Sequence, residues 1–236
     1  MNKKGYAALA PYYDGFFEPA YRARIERAYR RLLGRYIKKG DSVLDFGCGT
    51  GQLSFALAAA GYRVTGADID EAMLAVARKR AEEEGADIRF LSGLEKGLRV
   101  SAVTASLDVV NHITDPAELQ KTFFALKNCL VKGGVLIFDI NTEKKFRELY
   151  GHHSYCYQSP GVFCVWKNDY RPEEGLCRFT VSVYEAKGKG FVRREDRICE
   201  RCYPDETIVR MLRAAGFRRI RVRSLDQGTR HIFIVR

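Results

Sequence analysis

The chain has 236 residues, 46% of them hydrophobic, and a formal net charge of +11 at pH 7. This length suits one α/β domain with an insertion and allows a large buried core. No run of about 18 apolar residues occurs, which excludes a membrane-spanning helix. Because the first residues also lack a continuous apolar signal region, we expect a cytoplasmic protein.

The cysteine pattern argues against a disulfide-stabilised or metal-stabilised fold. The seven cysteines are scattered and odd in number, which does not suit a disulfide framework. Cys199 and Cys202 form the one closely spaced pair, and no second Cys/His pair with matching spacing follows them. We therefore expect no metal site.

Predicted strands and helices alternate through residues 20–139, which predicts parallel βαβ units. Asp70 and Asp115 are the predicted N-caps of the helices that follow them. The predicted helices cover 20–38, 51–60, 71–84 and 116–130, and the predicted strands cover 42–46, 62–67, 87–91, 100–106 and 135–139.

Part of the positive charge is organised on the first predicted helix, where arginines recur at three- and four-residue spacing. Such a face could attract an anionic partner such as RNA. It could also be a solvated helix face, and we favour this second interpretation because no basic tract with interleaved aromatic residues accompanies it. The four residues are Arg24, Arg27, Arg31 and Arg35.

Three glycines at alternate positions follow the first predicted strand: Gly47, Gly49 and Gly51. This spacing lets the backbone turn sharply and approach a ligand where a Cβ atom would collide. The next strand ends at Asp68, where a carboxylate can accept hydrogen bonds from both hydroxyls of a ribose. The sequence therefore predicts a ligand that contains a nucleoside.

Asp45 narrows the choice of ligand. It stands two residues before Gly47, where a carboxylate would repel the pyrophosphate that the usual dinucleotide loop binds. The same carboxylate suits a ligand with an ammonium group. S-adenosylmethionine (SAM) has a ribose, a sulfonium and an amino group, and no phosphate.

The alternation of strands and helices ends after the fifth strand. Residues 151–203 follow a period of two with many aromatic residues, which predicts an antiparallel insert of three or four strands. Turns are predicted at 172–175 and 187–190. Asp205 is the predicted N-cap of a helix that reaches Ala215, and strands at 218–225 and 230–235 form a final hairpin.

Four segments together resemble the class I SAM-dependent methyltransferases. The chain is most similar to the small bacterial enzymes near the glycine and amino-sugar N-methyltransferases. The glycine loop matches the first motif of the superfamily, and the aromatic opening resembles its N-terminal lid. The segments are Val43–Leu53, Tyr6–Asp14, Thr104–Ile113 and the helix at Thr207–Ala215 with Gly216 and Phe217.

This resemblance implies a Rossmann-like, doubly wound sheet of seven strands, parallel except for a terminal antiparallel hairpin. It also implies an antiparallel β insert after strand five. The implied division is an N-terminal helical lid at 1–40, a SAM-binding domain at 41–145 and 204–236, and an insert at 146–203 over the acceptor site.

The resemblance also implies which residues bind the cofactor. Asp68 would hold the ribose, and Tyr13 would cover the methionine portion. The usual acidic residue after strand three is absent, so either Glu95 or the backbone at Gly93 and Leu94 would contact the adenine. The methionine end of SAM would be surrounded by Asp45, Gly47, Gly49 and Gly51. The adenine would pack on Ile69 and Met73, and Ser106 completes the implied set.

His112 is the first candidate for a catalytic base or for a group that orients the acceptor. It follows strand four at the edge where ligands of open α/β sheets bind, and an imidazole titrates near neutral pH. It could instead lie against the methionine portion of the cofactor or pack under the insert. These interpretations remain open at the level of sequence.

The predicted function is methyl transfer from SAM to a small-molecule acceptor by in-line displacement, giving S-adenosylhomocysteine, with nitrogen favoured over oxygen. The alternatives are an RNA or tRNA methyltransferase and a SAM-binding module without catalysis. No base-modifying Asn-Pro-Pro-Tyr motif follows strand four, which disfavours nucleic acid as the substrate. We expect no membrane partner, and either a monomer or a homodimer.

Overall fold

The computed structural model describes residues 5–16 and 18–236. Its centre is a seven-stranded sheet, and a separate four-stranded antiparallel sheet follows the fifth strand in the chain. The central strands are β1 (Ser42–Phe46), β2 (Arg63–Ala67), β3 (Arg89–Leu91), β4 (Val100–Ala105), β5 (Leu130–Asn141), β10 (Ile220–Leu225) and β11 (Arg230–Val235).

The strand order in the central sheet is β10-β11-β5-β4-β1-β2-β3. The pairs among β1 to β5 are parallel, whereas β11 pairs antiparallel with both β5 and β10. The order reverses between β1 and β4, and the parallel strands all end at one edge of the sheet. This arrangement confirms the predicted class I methyltransferase fold.

Helices cover both faces of the central sheet. One hydrophobic core contains apolar residues of the first three helices, and the other contains apolar residues of the last two. The helices are α1 (Pro19–Leu33), α2 (Gln52–Ala59), α3 (Glu71–Glu84), α4 (Val109–His112), α5 (Pro116–Cys129) and α6 (Asp205–Ala214). None of them, within the described ranges, is both long and apolar enough to cross a membrane.

The insert is a four-stranded meander, as its period of two predicted. Its strands are β6 (Ser154–Ser159), β7 (Val162–Arg171), β8 (Leu176–Lys187) and β9 (Gly190–Arg201). A third hydrophobic core joins this sheet to the N-terminal segment through Ala8, Leu9 and Phe16. We call residues 5–16 the lid, because they connect the insert to the edge of the central sheet.

Several helix boundaries differ from the sequence prediction, and two of the differences have a clear physical reason. Helix α1 ends at Leu33, not at residue 38, because Gly34 disfavours a helix interior and the chain turns there while Ile37 stays buried. Asp205 is wrong as an N-cap: Pro204 holds that position and Asp205 is the first helical residue. Its Oδ2 atom lies 2.7 Å from Nδ1 of His231 on β11.

Gly66 on β2 gives a test of how tightly the sheet packs near the glycine loop. A Cβ atom there would lie 2.6 Å from Phe90 and 2.9 Å from Sγ of Cys48, whereas a Cβ at Gly190 would meet nothing within 4 Å. We predict that Gly66→Ala lowers the free energy of unfolding by about 1–3 kcal/mol through overpacking. In urea unfolding, the control Gly190→Ala should stay within about 0.5 kcal/mol of wild type. If Gly66→Ala and Gly190→Ala changed the free energy of unfolding equally, this packing would be contradicted.

Candidate functional site

The glycine loop lies at the edge where the parallel strands end. All three glycines have left-handed backbones, with φ of +70° at Gly47, +54° at Gly49 and +82° at Gly51. A Cβ at Gly47 would lie 2.5 Å from Val109, and one at Gly51 would lie 3.0 Å from Phe55. At Gly49 a Cβ would meet nothing within 4 Å, so the loop leaves open space at this residue.

Asp68 connects the loop to the end of β2. Its carboxylate accepts hydrogen bonds from the backbone N–H of Gly49 at 2.8 Å and of Asp70 at 2.9 Å. Burial raises the pKa of this carboxyl above its ordinary value. Ile69, the next residue, is 90% exposed. A carboxylate and an exposed apolar side chain thus stand side by side next to the open space at Gly49.

Other residues predicted to bind the cofactor lie at the same edge but differ in burial. Met73 is buried in the first turn of α3, so Ile69 presents far more free surface than Met73 does. Gly93 has a φ of +118° and open space where a Cβ would stand. Leu94 packs against the core beneath, and Ser106 is half-buried directly after β4.

Asp45 is almost completely buried beneath the glycine loop. Its carboxylate accepts hydrogen bonds from Oγ of Ser54 at 2.6 Å and from Oγ1 of Thr104 at 2.9 Å. Burial raises the pKa of Asp45 to about 6, although both hydroxyls act in the opposite direction. In this conformation the carboxylate therefore ties β1 to α2 and β4.

The segment after β4 has an unusual backbone. Leu107 and Asp108 both have positive φ, 60° and 62°, which costs on the order of 1–3 kcal/mol for each non-glycine residue. The carboxylate of Asp139 accepts hydrogen bonds from their two backbone N–H groups at 3.0 and 2.9 Å. This contact holds the segment in its strained conformation.

Asp139 itself is fixed by two further partners. Arg230 on β11 forms a short ion pair with it, and the hydroxyl of Tyr29 on α1 donates a hydrogen bond at 2.8 Å. All three residues are at most 2% exposed. The guanidinium of Arg230 also lies 3.5 Å from Oδ1 of Asp108, so it joins Asp139 to the site.

Asp108, His112 and Glu200 bring their side chains together where the insert meets the central sheet. Each offers an oxygen or nitrogen atom, and these atoms lie within 4.8 Å of one another. Nδ2 of Asn141 lies 2.7 Å from Oδ2 of Asp108 and 3.0 Å from Oε2 of Glu200. Nζ of Lys145 donates to Oδ1 of Asn141 at 2.9 Å. We call these five residues the acid cluster.

Burial dominates the titration of the acid cluster. It lowers the pKa of His112, although Asp108 opposes this, and it lowers the pKa of Lys145. It raises the pKa of Glu200 to about 8, with Asp108 adding to the effect. Burial alone would raise the pKa of Asp108 too, but Arg230 and Lys145 lower it on balance.

The lid closes over both the glycine loop and the acid cluster. The hydroxyl of Tyr6 lies 3.1 Å from Nε2 of His112. The carboxylate of Asp14 accepts hydrogen bonds from Oγ1 of Thr50 at 2.8 Å and from Nε2 of Gln52 at 2.6 Å. Tyr13 stands next to Asp14, and burial raises the pKa of its hydroxyl. The lid therefore shields the site from water.

Comparison with known proteins agrees with this architecture. Residues 43–134 match the profile of a family described as "Methyltransferase domain". A candidate methyltransferase of Geobacillus sp. (strain WCH70) is 26% identical over 218 residues, which are 90% of this chain and 88% of that protein. These similarities agree with the resemblance to the class I SAM-dependent methyltransferases. They also support SAM, the cofactor predicted from the sequence.

Two solved structures share the fold of this chain over nearly its whole length. One is a SAM-dependent methyltransferase from Clostridium acetobutylicum ATCC 824, with a TM-score of 0.79, 24% identity, and coverage of 98% of this chain and 95% of that one. The other is the sugar N-methyltransferase KedS8 from Streptoalloteichus sp. ATCC 53650. Its TM-score is 0.76 at 23% identity, covering 97% of this chain and 93% of that one.

Several residues of this site escaped the sequence analysis, among them Asp14, Asp139 and Glu200. Asp14 ends the aromatic opening, but its contact with the glycine loop is not encoded in spacing. Asp139 pairs with Arg230, which is 91 positions away. Glu200 had a usable signal: it continues the inward-facing positions Asp196 and Ile198 of β9, and a polar residue on the inward face of a strand is unusual enough to mark a site.

The role of Asp139 leads to a stability prediction. Asp139→Asn leaves Arg230 buried without its closest counter-charge and removes an acceptor for the strained segment. We predict a loss of about 3–5 kcal/mol in the free energy of unfolding, measured by urea titration. The exposed Asp87 is the control, and Asp87→Asn should change the free energy of unfolding by less than about 0.5 kcal/mol. If Asp139→Asn were as stable as wild type, the carboxylate would not stabilise the strained segment or Arg230, and this account would be contradicted.

Asp45 leads to a prediction about pH. Its pKa of about 6 in the folded protein exceeds the ordinary value of about 3.9, so the folded state binds the proton more tightly. The resulting stability is fully present below about pH 4 and is lost as pH rises through about 6. Relative to Asp45→Asn, the wild type should therefore gain about 2 kcal/mol between pH 7 and pH 4. If the free energies of unfolding of wild type and Asp45→Asn differed by the same amount at pH 7 and pH 4, the raised pKa of Asp45 would be contradicted.

Proposed function

We propose that this chain transfers the methyl group of SAM to a nitrogen atom of a small-molecule acceptor beneath the closed lid. One observation supports this most directly. The open space at Gly49 adjoins Asp68 and the exposed Ile69 on one side, and the acid cluster lies at the end of the neighbouring strand. The first group suits a ribose and an adenine, and the second suits a nitrogen that carries protons.

The described residues fit the cofactor. Asp68 would accept hydrogen bonds from the ribose hydroxyls, Ile69 would pack on the adenine, and Gly49 would leave room for the methionine portion. When bound, SAM supplies a methyl group whose bond to sulfur breaks, with its electron pair passing to sulfur, as the bond to the acceptor forms. The backbone at Gly93 is the proposed adenine contact, in the absence of an acidic residue there.

The chain's own residues have three tasks in this proposal. Asp14 holds the lid on the glycine loop, which excludes water from the site. The strained segment fixes Asp108 and His112 relative to the loop, and alignment of the acceptor is a large part of catalysis in such a displacement. His112 is neutral near pH 7 because burial lowers its pKa, so it can accept a hydrogen bond.

Nitrogen is favoured over oxygen because the acid cluster offers hydrogen-bond acceptors. The carboxyl groups of Asp108 and Glu200 and a neutral imidazole suit an ammonium or amine, whereas a hydroxyl can donate only one hydrogen bond. The neighbour KedS8 is a sugar N-methyltransferase, which agrees with the proposal. The arginine face of α1 is the remaining argument for RNA, and Arg24 is already paired with Asp226 at 2.8 Å.

Isothermal titration of SAM tests the cofactor site. We predict that Asp68→Ala weakens SAM binding by about 10-fold or more, the effect of losing a buried hydrogen-bonding partner. The matched control is Glu83→Ala on the exposed face of α3, where the side chain is 64% exposed; its affinity should equal that of wild type. Equal binding by wild type and Asp68→Ala would contradict the assignment of the ribose site.

Turnover separates the remaining functions. Formation of S-adenosylhomocysteine with small amines supports the proposal. Methylation of RNA, with an affinity that falls steeply with salt, would support the nucleic-acid alternative. SAM binding without turnover on any acceptor would indicate a non-catalytic module.

A further inference from the structure

Glu200 has no assigned role in the cofactor site, although it lies deep in the molecule. It is the penultimate residue of β9, on the insert, and it is 4% exposed. Its Oε2 atom accepts a hydrogen bond from Nδ2 of Asn141, whose amide also contacts Asp108. The insert and the central sheet therefore each contribute one carboxylate to a single amide.

The cations near Glu200 are engaged elsewhere. Arg230 pairs with Asp139 and lies near Asp108, and Lys145 donates its hydrogen bond to Asn141. Among residues 5–16 and 18–236, no salt bridge within 4.0 Å involves Glu200. Burying an ionised carboxylate that makes no salt bridge is costly, which points to a function that needs this side chain there.

A divalent cation is one occupant that Asp108, His112 and Glu200 could take by the chemistry of their donor atoms. The guanidinium of Arg230 is already 3.5 Å from Oδ1 of Asp108, and Lys145 adds a second positive charge. A third, doubly charged cation at this point would be repelled by both. A singly charged ammonium group that can release a proton suits the cluster better.

We propose that Glu200 accepts the proton that the acceptor's nitrogen must lose before methyl transfer, while Asp108 and His112 hold the ammonium group by hydrogen bonds. This inference rests on the proposed N-methyltransferase function. The N–H bond breaks, an O–H bond forms on Glu200, and the electron pair stays on nitrogen. That pair then forms the bond to the methyl group.

The titration of Glu200 matches this task. Its pKa of about 8 lies much nearer to that of an alkylammonium than the pKa of an ordinary glutamate does; the lysine side chain, at about 10.4, is a guide to the alkylammonium value. Proton transfer to an ordinary glutamate, with a pKa of about 4.3, would be unfavourable by about six decades. At Glu200 the deficit is about two decades, so burial makes it a usable base.

Several titratable or charged groups face Glu200 from every element packed against it. His112 is the weaker base because burial lowers its pKa, and the hydroxyl of Tyr6 already contacts its Nε2 atom. The groups around Glu200 are Tyr6 of the lid, Asp108 and His112 at α4, Lys145 and Tyr150 after β5, Cys177 of β8 and Arg230 of β11.

The test compares Glu200→Gln with wild type across pH in the full chain. The probes are methylamine, benzylamine and D-glucosamine, each beside its hydroxyl counterpart: methanol, benzyl alcohol and D-glucose. Production of S-adenosylhomocysteine gives kcat and KM. We expect turnover of at least one amine and of no hydroxyl probe, with wild-type kcat rising through about pH 8.

In Glu200→Gln we expect kcat for the amine to fall about 100-fold or more and the rise through pH 8 to disappear. SAM affinity and thermal stability should stay near wild type, because Gln keeps the size and the hydrogen bond to Asn141. Glu200→Asp should restore part of the activity. The control is Glu195→Gln, on the same strand but paired with Arg193 and Arg197, which should behave as wild type.

Four results would overturn the role of Glu200. The first is that Glu200→Gln keeps the wild-type kcat and pH profile with the amine, and the second is that wild type turns over the hydroxyl probes and not the amines. The third is that EDTA abolishes activity and Mn²⁺ restores it. The fourth is that SAM-loaded wild type neither binds nor turns over any amine. The third would identify the cluster as a metal site. Failure of wild type to bind SAM would instead contradict the proposed function itself, so the two failures are distinguishable.

Discussion

The hydrogen bonds from Asp139 to the strained segment after β4 are the constraint on which the rest of the site depends. Two consecutive non-glycine residues with positive φ persist only where the surrounding structure fixes them, and here one carboxylate accepts both backbone N–H groups. Arg230 and Tyr29 hold that carboxylate from a strand and a helix on either side. Because the segment leads into α4, the same contact sets where Asp108 and His112 lie relative to the glycine loop.

Three parts of the chain must meet before the site is complete. The parallel strands end in the glycine loop and Asp68, the insert contributes Glu200, and the lid contributes Tyr6 and Asp14. Hydrogen bonds that are at least partly buried join these parts, and such bonds are strong only when water is excluded. The apolar packing of Ala8, Leu9 and Phe16 against the insert provides that exclusion.

Local signals were sufficient for most of the fold and for part of the site. The glycine spacing, the Asp70 cap and the alternation of elements all depend on neighbours within a few residues, and the structure agrees with them. Pairings between distant residues were not predictable, because no local pattern links Asp139 to Arg230 or the lid to His112. The positive φ at Leu107 and Asp108 also lacks a glycine that would have marked it. Helix α1 was predicted too long because its amphipathic pattern continues past Gly34.

The central claim is that one site at this edge of the sheet holds the cofactor next to the acid cluster. A crystal structure of the chain with S-adenosylhomocysteine tests it most directly. The account predicts that the ribose hydroxyls contact Asp68, the adenine lies on Ile69, and the sulfur points toward the space between Gly49 and the acid cluster. A ligand bound away from the glycine loop, or with its sulfur directed away from Asp108, His112 and Glu200, would contradict it.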